Sequence, residues 1–114
     1  MNIEWLRNFC LSLPKATEDV KWGNDLCFLI GGKMFCVTGT GGELTASFKC
    51  NEEDFNELCE RDGIIPAPYL ARNKWVYVQR SSALTKNEWE HYIEKSYKLV
   101  AAKLTKKMQK ELGL

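Results

Sequence analysis

Apolar residues Ile3, Leu6, Phe9, Cys10 and Leu13 recur at helical spacing near the start of the chain. That spacing predicts an amphipathic helix with one buried stripe. Asn2 is placed to cap it, and Pro14 stops it. The stretch "KATEDVKWGND" that follows is polar and reads as turn. Residues 26–30 and 34–38 are then almost wholly apolar and flank Gly31-Gly32. Two glycines between two apolar runs predict a tight hairpin, because glycine accepts positive φ at little cost. A two-residue turn there pairs Ile30 with Lys33, Leu29 with Met34, Phe28 with Phe35 and Cys27 with Cys36. Leu26, Phe28, Ile30, Phe35 and Val37 would share one face, and Cys27, Leu29, Met34 and Cys36 the other. Both faces are apolar, so the hairpin is expected inside a sheet, covered in part on both sides.

"GTGG" makes a second turn, and residues 43–49 alternate as a third strand with Leu44, Ala46 and Phe48 on one side. Asn51 opens a second helix, with acids in its first turn where the helix dipole favours them and with Phe55, Leu58 and Cys59 as its stripe. Asp62-Gly63 ends it. "IIPAPYLARN" carries two prolines and reads as an extended loop. Residues 74–79 are expected to form a strand with Trp75, Tyr77 and Gln79 on one face and Val76 and Val78 on the other. Thr85 and Glu88 form a capping box that launches the longest helix, over residues 86–103, with Trp89, Ile93, Tyr97, Val100 and Leu104 facing inward. A short basic helix follows Thr105. The expected order is α-β-β-β-α-β-α with that tail helix added. This is an α+β fold with an antiparallel sheet flanked by helices.

Length and composition support one domain over residues 1–114, with 45% hydrophobic residues to build one core. No apolar run approaches the roughly 20 residues of a membrane span. No apolar stretch with a cleavage site resembles a signal peptide, so a cytoplasmic location is expected. A monomer is expected as well. The five cysteines are odd in number and contain no CxxC, which favours free, buried thiols over disulfides or a metal site.

Net charge is only +1, but its distribution is uneven. Residues 1–60 carry five Lys/Arg against ten Asp/Glu, and residues 61–114 carry eleven against five. A basic half gathered on one face would attract a polyanion. The alternative is that the two halves attract each other within the fold.

Gly31-Gly32-Lys33 is not a P-loop. Met34 follows the lysine, and a strand follows where a helix would be needed to point amides at phosphate. The single histidine, His91, sits in the last helix without a nucleophile motif, so no catalytic residues are assigned. Glu52, Glu53, Asp54, Glu57 and Glu60 read as a solvated helix face, so neither a metal nor a cofactor is expected. What remains is aromatic and basic. Trp22, Tyr69, Trp75 and Tyr97 could line a groove for a peptide or metabolite, or could be ordinary core material. Lys33, Arg72, Lys74, Arg80, Lys98, Lys103, Lys106 and Lys107 could contact phosphates.

"LPKATEDVKWGNDLCFLIGGKMFCV", "PAPYLARNKWVYV" and "SYKLVAAKLTKK" stand in this order along the chain. These blocks resemble the MmcQ/YjbR family of small bacterial proteins. Trp22-Gly23, Gly32-Lys33 with Phe35, Pro66 with Tyr69, Trp75-Val76, and Ser96-Tyr97 with Leu104 carry the resemblance. It implies a CyaY-like, double-wing α+β fold and a DNA-binding label that rests on fold analogy. It implies no catalytic residues. The frataxin likeness would imply iron on an acidic first helix, whereas Glu4 is the only acid there. The expected function is a non-enzymatic nucleic-acid-binding module, with a protein- or small-ligand-binding groove as the alternative.

Overall fold

The computed structural model describes residues 1–114 apart from residue 69. The groove candidate Tyr69 therefore lies outside the described residues. Helix α1 (Ile3–Ser12) starts where expected, with the Asn2 side chain accepting a bond from the Trp5 amide at 2.8 Å. Four strands follow: β1 (Thr17–Lys21), β2 (Asp25–Ile30), β3 (Lys33–Gly39) and β4 (Ala46–Lys49). Then come α2 (Glu52–Leu58), β5 (Ile64–Pro66), β6 (Trp75–Val78), α3 (Lys86–Ala102) and α4 (Lys106–Glu111). All strand pairs are antiparallel, in the spatial order β1-β2-β3-β4-β6-β5.

Two strands escaped the sequence reading. Strand β1 lies in the stretch read as turn. Four of its five residues are exposed, so it has no apolar alternation, and the free edge of β2 supplies its hydrogen bonds. Strand β5 lies in the proline-rich stretch read as loop. It occupies the far edge of the sheet, where a residue such as Pro66 is tolerated.

The hairpin register also differs from the simple expectation. Ile30 faces Lys33 and Leu29 faces Met34, but a β-bulge then shifts the pairing, so that Phe28 faces Cys36 and Cys27 faces Val37. Phe35 is the extra residue. The bulge lets consecutive residues Phe35 and Cys36 both enter the core, and it sends Val37 to the opposite face. Across the helix-covered face, Phe28, Cys36, Phe48 and Val76 form one row of fully buried residues. Leu6 and Cys10 of α1, Leu58 of α2, and Trp89, Ile93, Tyr97 and Val100 of α3 pack on that row. The helices thus cover one face of the sheet and leave the other to the loops. Cys10, Cys27, Cys36 and Cys50 are buried and all five cysteines are free. Burial pushes the ionisation of Cys10, Cys27, Cys50 and Cys59 up, to about 12 for Cys50, so these thiols behave as packing groups.

The capping box of α3 is doubled by an ion pair. Glu88 accepts from the Thr85 amide at 3.0 Å and lies 2.7 Å from Arg61. The Arg61 guanidinium, with help from the Thr85 amide, holds the Glu88 carboxyl at about 2, below its ordinary 4.5. Folding lowers this pKa. The stabilisation is therefore complete above the ordinary value and is lost as pH falls toward about 2. Glu88 is partly exposed, so solvent screening reduces its worth to about 1–2 kcal/mol. Glu88→Gln is expected to lower stability by that amount at neutral pH and to flatten the acid limb of a urea-midpoint profile. An acid limb identical to wild type would contradict this assignment.

Candidate functional site

The uncovered face of the sheet carries Cys27, Val37, Ser47 and Tyr77 in one cross-strand row. The chain after β5 folds back toward this face. The Ala67 amide bonds the Trp75 carbonyl at 2.9 Å, and Pro68 and Leu70 are laid against the strands. Between that loop and Trp22 runs a groove made of three connected pockets, of about 270, 470 and 270 Å³. Leu70 borders all three. Met34, Val37 and Ser47 line the middle pocket, and Trp22 and Pro68 wall it. Trp22 sits at φ 51 in the β1–β2 turn with 68% of its surface exposed.

One end of the groove is basic. Lys33, Lys49 and Lys103 border the end pocket together with Met34, Leu70, Trp75 and Val100. Lys33 follows the hairpin turn, Lys49 ends β4 opposite Trp75, and Lys103 caps the end of α3. Burial, and then the nearby Lys103 ammonium, pull the Lys49 ammonium below its ordinary value. Among the described residues, none of the three forms an ion pair with an acid, whereas Arg7, Arg61, Arg80, Lys95 and Lys98 each do.

Ser96 holds this end together. Its hydroxyl donates to the Phe35 carbonyl at 2.6 Å and accepts from the Lys49 amide at 2.9 Å. Phe35 is the bulged residue of β3, and ladder pairing between β3 and β4 ends at Phe48. A side chain of α3 thus fills the gap that the bulge opens between two strands.

The cations singled out from sequence divide into two groups. Lys33 and Lys103 meet at the basic end. Lys106 and Lys107 follow on α4, whose Met108 lies against the hairpin turn at Gly31. Arg72 and Lys74 are carried between Leu70 and Trp75, on a 3-10 turn and its left-handed cap. The Lys74 ammonium stands 5.2 Å over the Phe55 ring. Arg80 and Lys98 do not belong to this end. Arg80 follows the opposite end of β6 and pairs with Asp62 at 2.9 Å, and Lys98 pairs with Glu94 one turn earlier on α3. Lys49 was missed, because a single lysine in an alternating strand carries no signal until β4 is placed beside the end of α3.

The aromatic set divides as well. Trp22 and Trp75 border the groove. Tyr97 does not: it is buried under the helices, edge-on to Phe35 at 5.4 Å, with its hydroxyl bonded to the Pro14 carbonyl. Met34, Val37, Pro68 and Leu70 complete the lining beside the Trp22 and Trp75 rings, and Tyr77 borders the far pocket. His91 is exposed on α3, edge-on to Tyr92, and does not border the groove. Among the described residues, no group of three or more His, Cys, Asp or Glu side chains is placed to hold a metal ion. Among the same residues, no helix is long and apolar enough to cross a membrane.

The sequence model of the YjbR family matches residues 11–99, which span β1 to β6 and most of α3. The chain belongs to the YjbR family. This YjbR chain is also similar to the crystal structure of the Deinococcus radiodurans protein DR2400, described as a DUF419 domain. The TM-score is 0.89 at 30% identity, over 99% of this chain and 88% of that one. A Pseudomonas syringae protein shares the fold at a TM-score of 0.73 and 20% identity, over 88% of this chain and 99% of its own. No curated protein matches this chain.

Proposed function

We propose that this YjbR protein is a non-catalytic nucleic-acid-binding module that holds phosphates at the basic end of the groove. The observation that carries the reading is the meeting of Lys33, Lys49 and Lys103, none of which pairs with an acid among the described residues. Lys106 and Lys107 extend the same end along α4. Two ammonium groups held close in a partly buried place repel each other, and a phosphate between them would relieve that repulsion. The cluster offers ammonium groups, which meet phosphates as point charges, so contacts mainly to phosphate, with tolerance of sequence, are the supported form.

Fluorescence anisotropy with labelled oligonucleotides at about 50 mM salt tests the reading. Dissociation constants of about 1–100 µM are expected, weakening steeply as salt is raised. Lys33→Ala and Lys103→Ala should each reduce the salt slope by about one. Arg80→Ala and Lys98→Ala, which remove cations already paired with acids, should leave affinity unchanged. Absence of binding at about 100 µM protein in low salt overturns the proposal.

A further inference from the structure

The groove joins two chemistries that a phosphate backbone alone does not use. Its middle is mostly apolar, built from Met34, Val37, Pro68 and Leu70 with the exposed Trp22 indole as one wall and with Ser47 and Asp25 at its border. Its end is cationic. A duplex resting on the lysines would leave the middle pocket empty. The pocket volumes, about 270 to 470 Å³, lie at the small-molecule end of known ligand sites. We infer that the open face is a binding site for a small molecule that joins an anionic group to a flat apolar ring. The anion sits among Lys33, Lys49 and Lys103, and the ring lies over Met34 and Val37 against Trp22.

Charge complementarity selects the occupant. An acidic peptide would need several cations spaced along the groove, but the cations stand at one end, and Asp25 borders the middle and far pockets. A neutral apolar ligand would leave the lysines unanswered. The Trp22 backbone supports the role of its side chain. A bulky residue at φ 51 is uncommon, and this one is held there with its ring in the open. The site goes beyond the nucleic-acid reading and does not require it, although the two share the lysines.

The test is a methyl and indole NMR titration with 1-naphthyl phosphate, 1-naphthol and inorganic phosphate. Naphthyl phosphate is expected to saturate and to move the Met34, Val37, Leu70 and Trp22 signals together. Naphthol and inorganic phosphate should each bind at least about tenfold more weakly, since each satisfies only one part of the site. Joint Lys49→Gln and Lys103→Gln substitution should bring naphthyl phosphate down to the level of naphthol. Trp22→Ala should weaken both aromatic probes and spare inorganic phosphate. If the double variant does not fold, Lys33→Gln at the exposed hairpin turn is expected to act in the same direction. Equal binding of naphthol and naphthyl phosphate, or shifts confined to other surfaces, overturns the inference. Oligonucleotide anisotropy on the same samples separates the two proposals: Trp22→Ala should leave duplex affinity unchanged, and loss of duplex binding alone leaves the small-molecule site standing.

Discussion

Ser96→Ala is expected to lower stability by about 2–4 kcal/mol, although it removes a single oxygen atom. Ser96 is fully buried, and its hydroxyl serves two backbone groups that have no other partner in the ladder. The Phe35 carbonyl is set free by the bulge, and the Lys49 amide lies one residue past the last β3–β4 pair. Alanine leaves both buried and unsatisfied. Each orphaned group costs about 1–3 kcal/mol, which exceeds the net worth of an ordinary hydrogen bond. Urea denaturation of wild type and variant measures the difference. A loss below about 0.5 kcal/mol would mean that water or a shifted backbone replaces the hydroxyl. The variant also tests how the site is built. Lys49 owes its position beside Lys103 to this clamp, so anion affinity at the basic end should weaken in folded Ser96→Ala protein.

Gly31→Val is expected to cost about 3 kcal/mol, and Gly32→Ala only about 1 kcal/mol. Both glycines have positive φ, +59 and +79, as a two-residue hairpin turn requires. Their surroundings differ. A β-carbon at Gly32 would meet nothing within 4 Å, whereas one at Gly31 would stand 2.7 Å from a Leu104 methyl and 3.3 Å from Met108. Leu104 is itself buried at the junction of α3 and α4, so it has little room to turn away. Valine adds branching to the same strained backbone. Gly31→Ala measured beside Gly32→Ala separates the two effects: similar losses for the two alanine variants would show that backbone strain alone matters. If the contact matters, Gly31→Val should also lift α4 from the hairpin and separate Lys33 from Lys103, weakening anion binding more than Gly32→Ala does.

The elements with strong local signals were legible in the sequence. Asn2, Asn51 and Thr85 each cap a helix where expected, because a capping side chain acts within three residues of itself. The Gly31-Gly32 turn and the inward faces of β4, β6 and α3 were equally local matters of periodicity. The edges of the sheet were not legible. Strand β1 is polar and β5 ends in proline, and each exists because a neighbouring strand offers unpaired backbone groups. The bulge at Phe35 was hidden for a similar reason. A turn sets register only as far as the first irregularity, and this one is held by Ser96, 61 residues away.

The site divides along the same line. The sequence by itself determined the family, the α+β class, the hairpin and the supply of lysines in its second half. The tertiary structure alone decided which of those lysines act together. It set Arg80 against Asp62 and brought Lys49 to Lys33 and Lys103. The physical reason is range. Caps, turns and apolar stripes act between residues a few positions apart, whereas a charge cluster depends on distances through space, and the strand order and a buried hydroxyl set those distances here.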